Sequence, residues 1–423
     1  MSKNQKDLNT ILIVEDSKSL ARLLRDRISR ELQLPVSVAY TYRDARKVLE
    51  DKEKTFFAAV LDLSLPDAPD GEIVDLVIPK KIPSIILTGT FNDALRERIL
   101  AKNAVDYVVK SGINDIEYVV NLLKRLLKNI NKTILVADDD MTVRRFIRSL
   151  LELHKYKVME VADGAEALNY AKRVSDIDLV ITDYEMPKMN GVDLSLQLRK
   201  IYDKEHMAIL GISSAEQKTL SARFLKAGAN DFLKKPFLSE ELLCRVTQNI
   251  EFIELLCEVR EASIRDYLTG LYNRRYFYET AQEMFMQVQQ YNTAFALAMI
   301  DVDYFKKIND HHGHDAGDCA LKHLAHILSS YIGDKGLLAR FGGEEFCILI
   351  TSVLQTDLNP YFTRLKKLVA SSQCRIADTD LKITVSIGIA AKPGTSLDAM
   401  IRSADEMLYK AKEKGRDSVV LDI

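Results

Sequence analysis

Over roughly the first 240 residues, short continuous apolar runs such as "TILIV" (10–14), "AAVLD" (58–62), "SIILTG" (84–89) and "AILGIS" (208–213) alternate with longer stretches of helical period such as "DALRERILAKN" (93–103). Strands that are apolar at every position, rather than at every second one, are buried on both faces. With helices between them they predict a parallel sheet covered on either side. The pattern occurs twice. "TILIVEDSKSLARLL" (10–24) is answered by "TILVADDDMTVRRFI" (133–147), "AAVLDLSLPDAPDG" (58–71) by "LVITDYEMPKMNG" (179–191), and "AVDYVVKSG" (104–112) by "ANDFLKKPF" (229–237), each about 120 residues further on. Ligands on such sheets sit at the carboxyl ends of the strands. There the acids, the hydroxyl residues and the lysines of both copies fall.

From 240 to 264, "EELLCRVTQNIEFIELLCEVREASI" contains no Gly or Pro and predicts one helix leaving the second unit as a stalk. Leu243, Val246, Ile250, Ile253, Cys257 and Ile264 follow a 3-4 rhythm that Arg260 interrupts. That face serves either as a coiled-coil dimer seam or as a packing face on its own domain. The last ~160 residues mix α and β patterns. Within them "RFGGEEFCILI" (340–350) predicts a hairpin, with Leu337, Leu338 and Phe341 on one arm and Phe346, Ile348 and Ile350 on the other. Gly342 and Gly343 are expected to supply the positive φ of a primed turn.

Composition narrows the class. The chain has 423 residues, 47% of them hydrophobic and 28% charged, as expected of several globular domains. Its 59 basic and 61 acidic side chains nearly cancel, so nothing points to nucleic acid or to an anionic membrane. No apolar run reaches the ~18 residues of a membrane span, and the polar start "MSKNQKDLNT" is no targeting segment, which together predict a cytoplasmic protein. The five cysteines (244, 257, 319, 347, 374) form no CxxC pair and read as reduced, buried thiols. "HHGHD" (311–315) does not match a zinc spacing.

In the twin units, Asp62 and Asp183 each end a buried strand, where a carboxylate can attack a phosphoryl group once a divalent cation neutralises the charge. Glu15 with Asp16, and Asp138 with Asp139, are the paired hard-oxygen donors that Mg²⁺ takes. Lys110 and Lys235 can clamp the transferred oxygens, and the hydroxyls of Thr88 and Ser213 can hydrogen-bond to them. In the third region, "LAMIDVDYFKKINDHHGHDAGD" (297–318) delivers Asp301 and Asp303 on one side of a strand. If that strand neighbours the hairpin, Asp301, Glu344 and Glu345 converge, an arrangement costly without a cation among them. Two Mg²⁺ about 4 Å apart are the usual device for in-line attack on phosphorus. The hairpin glycines let phosphates lie against the turn, while Lys412 and Arg416, at i, i+4 near a helix end, suit a triphosphate tail.

The twin units, residues 9–128 and 132–250, resemble the receiver domain of two-component response regulators. The resemblance implies a flavodoxin-like, doubly wound parallel sheet and one Mg²⁺ (or Mn²⁺) per unit. It also implies aspartyl phosphorylation of Asp62 and Asp183 by a histidine kinase or phosphotransfer protein. The expected switch pairs are Thr88 with Tyr107 and Ser213 with Phe232. The first unit departs from the pattern: "KSG" stands where Lys-Pro is usual, so no cis peptide is expected there, and the loop after Asp62 is one residue longer.

Residues 262–423, after a helical stalk at 240–264, resemble the GGDEF-family diguanylate cyclases in a GGEEF variant. "DYLTGLYNRRYF" (266–277), "IDVDYFKKIND", "GHDAGD", "RFGGEEF", "VSIGIA" (385–390) and "YKAKEKGR" stand in the family's order. The resemblance implies an α+β, ferredoxin-like or nucleotidyl-cyclase-like fold. The implied reaction joins two GTP into cyclic di-GMP across a homodimer, with two metal ions per active site. By position, the resemblance makes Asp301, the Val302 carbonyl and Glu344 metal ligands, and Glu345 a further ligand or a base that helps deprotonate the 3′-hydroxyl. Asn309 and Asp318 read guanine, Leu268 packs near the base, and Lys306, Lys412 and Arg416 hold phosphates. The family's inhibitory Arg-x-x-Asp is replaced by "GDKG" (333–336), so product inhibition through that site is expected to be absent. The competing expectation is a catalytically inactive GGDEF module acting as a nucleotide sensor or scaffold.

Overall fold

The computed structural model describes residues 10–423 apart from 52, 90–92, 111, 175, 215–218, 292–294, 352–354, 377–378, 393 and 423. The polar start "MSKNQKDLN" and Ser111 of "KSG" lie outside them. The chain forms two compact units, 1–256 and 257–423.

The first unit contains two five-stranded parallel sheets. One is built from β1 (Thr10–Val14), β2 (Val36–Ala39), β3 (Phe56–Asp62), β4 (Ser84–Thr88) and β5 (Asp106–Val109), in the order β2-β1-β3-β4-β5. The other repeats it with β6 (Thr133–Ala137), β7 (Lys157–Val161), β8 (Leu179–Asp183), β9 (Ala208–Ser213) and β10 (Asp231–Lys234), in the order β7-β6-β8-β9-β10. Both are flavodoxin-like, and strand order reverses between the first and third strands, where a crevice opens at the carboxyl ends. Because the strands are apolar throughout, each sheet carries a core on both faces: Ile11, Ile13 and Val60 on one side of the first sheet, Leu12, Val14 and Leu61 on the other.

The helix Ser239–Ile264 buries Leu242, Val246, Asn249, Ile250 and Ile253 against the second sheet. Of the two uses open to its 3-4 face, the structure decides for packing on its own domain as far as Ile253. Leu242 rather than Leu243 turns fully inward, and Cys257 is exposed. The two sheets are tied within this unit by Arg125, which donates to Glu254 at 2.8 and 3.1 Å.

The second unit centres on a mixed six-stranded sheet. It comprises β11 (Tyr272–Asn273), β12 (Ala296–Val302), β13 (Gly336–Gly342), β14 (Glu345–Ile350), β17 (Val385–Ala390) and β18 (Val419–Leu421), in the order β11-β13-β14-β12-β17-β18. A separate two-stranded ribbon joins β15 (Cys374–Ile376) and β16 (Thr379–Leu381). The centre is antiparallel, while β11 and β18 add parallel edges. Alternate residues of β12 face different cores: Ala298 and Ile300 one, Leu297 and Met299 the other.

The cysteine expectation is only partly met. All five are free, but Cys244, Cys257 and Cys319 are exposed and only Cys347 and Cys374 are buried. An apolar neighbourhood in sequence does not fix which face of a helix a thiol takes. Among the described residues no helix is long and apolar enough to cross a membrane.

Candidate functional site

Each parallel sheet gathers its polar residues at the carboxyl ends. Lys110 places Nζ 2.8 Å from Glu15 Oε2 and 2.7 Å from Asp62 Oδ2. Lys235 repeats this at 2.6 Å from Asp138 Oδ2 and 2.7 Å from Asp183 Oδ1. The free oxygen of Asp62 accepts from Ser64 N–H, and that of Asp183 from Glu185 N–H. Burial pushes the Glu15 and Asp183 carboxyls above their usual range; the neighbouring lysine opposes this, and Asp62 or Asp138 respectively reinforces it. Thr88, Tyr107 and Ser213 are buried, while Phe232 is half-buried with its ring 5.5 Å from Phe224. Among the described residues, Glu15, Asp16 and Asp62 are the set of three whose carboxylate oxygens all lie within 4.8 Å of one another. Asp138, Asp139 and Asp183 approach less closely. The Lys235–Pro236 peptide is cis.

In the second unit, β12 pairs antiparallel with β14 so that Asp301 stands opposite Glu345, and Val302 N–H donates to the Glu344 carbonyl at 3.3 Å. The turn differs in detail from expectation. Gly342 pairs with Glu345, so Gly343 and Glu344 are its two central residues. Both glycines do take positive φ, 147° and 51°, and a register shift between Arg340 and Gly342 accommodates Phe341. A primed turn matches strand twist only with positive φ at its first central position, which glycine adopts freely.

Asp301 is 5% exposed and pairs with Lys412 Nζ at 2.7 Å. Its carboxyl is pushed up to about 6, first by burial, then by the charges of Glu344 and Glu345, against the pull of Lys412. Glu344 and Glu345 thus add negative charge near a buried carboxylate that Lys412 pairs with, although among the described residues these three acids do not bring their oxygens within 4.8 Å of one another. Every donor there is oxygen.

The remaining expected residues lie around this centre. Lys306 is exposed on the helix Phe305–His312, and Asp318 is exposed on the helix His314–Ile332. Asn309 keeps its Oδ1 buried without a partner, an acceptor awaiting a donor. Leu268, partly buried, packs against the core. Arg416 departs from expectation. The helix ends at Glu413, so Arg416 lies beyond it in a left-handed conformation, its guanidinium 4.5 Å above the Tyr304 ring. Glycine at 415 lets the chain leave the helix before i+4 is reached.

Two braces that the sequence pattern does not announce lie within the motifs around residues 266–277 and 297–318 and the glycine turn. Arg340 donates to the Gly343 carbonyl at 2.7 and 3.1 Å and to Asp266 at 3.0 and 3.2 Å. Asp303 accepts from Thr384, Ser386 and the Asp417 N–H. A charged residue beside a glycine turn was the available signal for Arg340; nothing local marks Asp303 as different from Asp301.

Residues 263–418 match the family model of the diguanylate cyclase GGDEF domain, and residues 134–247 that of the response regulator receiver domain. The response regulator PleD of Caulobacter vibrioides is 26% identical over 97% of this chain and 98% of its own length. The diguanylate cyclase DgcM of Escherichia coli is 36% identical over 42% of this chain and 43% of its own. A solved structure of a probable two-component system response regulator/GGDEF domain protein is 39% identical, spanning 58% of this chain and 99% of its own at a TM-score of 0.52. The chain belongs to the response regulator/GGDEF domain family.

Proposed function

We propose that this protein is a diguanylate cyclase controlled by phosphorylation, converting two GTP into cyclic di-GMP and two pyrophosphates. The observation that carries the reading is the β12–β14 register, which sets Asp301 against Glu345 beside the Gly342–Gly343 turn, with Lys412 on the same carboxylate. Asp301, Glu344, Glu345 and the Val302 carbonyl would hold two Mg²⁺ or Mn²⁺. The bound cations supply charge neutralisation at the entering and leaving oxygens.

The chain's own residues do the rest. Glu345 accepts the proton of the attacking 3′-hydroxyl. Lys412, with Lys306 and Arg416, would hold the phosphates. The unpartnered Asn309 Oδ1 accepts from the guanine edge together with Asp318. Adenine lacks these donors, and a lost buried bond of this kind costs about 1–3 kcal/mol, so GTP is preferred to ATP. Each domain binds one GTP, so turnover needs a homodimer.

Both parallel-sheet units act as receivers, phosphorylated at Asp62 and Asp183 by a histidine kinase or phosphotransfer protein. The close oxygens of Glu15, Asp16 and Asp62 support the first, and the family match supports the second. Each receiver would hold one Mg²⁺, the second at Asp138, Asp139 and Asp183. Phosphorylation shifts the switch pairs Thr88–Tyr107 and Ser213–Phe232, and with them the population of the active dimer. Gly333 and Gly336 leave no guanidinium or carboxylate for product at the inhibitory position.

Pyrophosphate release from GTP with Mg²⁺ tests the enzyme, and its stimulation by beryllofluoride in wild type, Asp62→Asn and Asp183→Asn tests the control. No cyclic di-GMP under any of these conditions sinks the first reading; equal rates in all three proteins sink the second.

A further inference from the structure

Resting on the reading of this site as a GTP site, we infer that Asp303 and Tyr304 are positioning residues that hold Arg416 over the triphosphate. After the helix Leu397–Glu413 the chain takes three successive left-handed residues, Gly415 (φ 103°), Arg416 (66°) and Asp417 (41°), and Tyr304 (56°) is left-handed as well. Side chains beyond glycine disfavour this region, so its persistence at two facing segments means that contacts hold them there.

Asp303 makes those contacts. It is 4% exposed, and its Oδ2 accepts from Asp417 N–H at 3.0 Å and Thr384 Oγ1 at 2.8 Å, its Oδ1 from Ser386 Oγ at 2.6 Å. Among the described residues no lysine or arginine pairs with it. A buried carboxylate satisfied only by neutral donors is an expensive way to fill space. An amide in its place would turn one N–H₂ toward donors, so three converging donors call for a carboxylate. Arg416 N–H meets the Ala411 carbonyl at 3.2 Å, and Lys366 fixes Asp417 at 2.8 Å.

The result is a guanidinium fixed by a ring rather than by an acid. Arg416 lies 4.5 Å over the half-exposed Tyr304 ring, which Lys307 also approaches at 4.5 Å. Among the described residues no carboxylate pairs with Arg416. Its N–H groups are therefore not committed to an acid and remain available to phosphate oxygens, while the cation–π contact limits the side chain's freedom. One short segment, 301–304, thus supplies the proposed ion ligand, the clamp and the platform.

The test is calorimetric binding of a non-hydrolysable GTP analogue, and of GMP, to the full chain with Mg²⁺. Tyr304→Ala is expected to weaken the analogue about fivefold and leave GMP unchanged, with Tyr304→Phe within about twofold of wild type. In an Arg416→Ala background, Tyr304→Ala and Asp303→Asn are expected to cost nothing further. Additive losses with Arg416→Ala, or equal weakening of GMP, overturn the inference, and the tyrosine variants decide it even if Asp303→Asn fails to fold. A wild type that binds neither nucleotide refutes instead the GTP-site reading beneath it.

Discussion

The brace between Asp266 and Arg340 makes the strongest quantitative prediction. Arg340 is 11% exposed and Asp266 17% in their side chains, and Thr269 adds two hydrogen bonds to the same carboxylate. Burial raises the Asp266 carboxyl, but Thr269 and then Arg340 outweigh it and hold it below its ordinary value. Arg340→Ala leaves that carboxylate without its cation and the Gly343 carbonyl without two charged donors. Because the pair is only partly buried, breaking it from one side costs less than the about 3–5 kcal/mol of a fully buried pair. Asp266→Asn alone should be destabilising as well, yet the double variant should recover part of the loss, with a coupling of about 1.5–3 kcal/mol. Amide hydrogen exchange across β13 and β14 in the full chain reads these opening energies locally, without assuming two-state unfolding of a multidomain protein. The pH dependence has a fixed sign. A carboxyl with a lowered folded pKa contributes stability that is present above its unfolded value and lost as pH falls through the folded one. The gap between wild type and Arg340→Ala should therefore narrow on acidification below about pH 4. Two single-variant losses that add within about 0.5 kcal/mol would refute the brace.

Glu344→Gln should cut pyrophosphate release at least about 100-fold while melting stays near that of wild type; a loss under tenfold would remove Glu344 from the proposed chemistry. His154 has its Nε2 buried without a partner, and burial lowers its pKa from 6.5 to about 4. The fold holds it neutral, so stability is complete above pH 6.5 and falls by up to about 1.4 kcal/mol per unit toward pH 4. His154→Gln should flatten that slope in denaturant titrations of the first unit, and an unchanged slope would point to other groups. Restoring an acid at the inhibitory position should fail structurally, because a Cβ at Gly336 would stand 2.3 Å from the Leu349 carbonyl. Gly336→Asp is expected to lower the melting temperature rather than confer inhibition by cyclic di-GMP, and a stable, product-inhibited variant would contradict this.

Much of the site was legible because its residues close strands whose apolar runs announce themselves. Asp62, Asp183 and Asp301 all stand where an apolar run ends, and the repeat pairs each acid with a lysine of matching position. Arg416 was not legible in the same way: its i, i+4 spacing from Lys412 assumes a helix that stops at Glu413. Nor were the cysteines, since burial depends on which neighbour covers a helix face.

By itself the sequence determined the two α/β repeats, the strand order's chemistry at the carboxyl ends and the glycine turn, because side-chain periodicity and φ preference act within a few residues. Only the tertiary structure decided that Asp301 meets Lys412 and faces Glu345, while Asp303, two residues on, is saturated by Thr384, Ser386 and Asp417. The two aspartates, one near the end of β12 and one just beyond it, carry the same charge. What separates them is the set of donors that distant segments bring within hydrogen-bond reach, and that is fixed by packing rather than by local pattern.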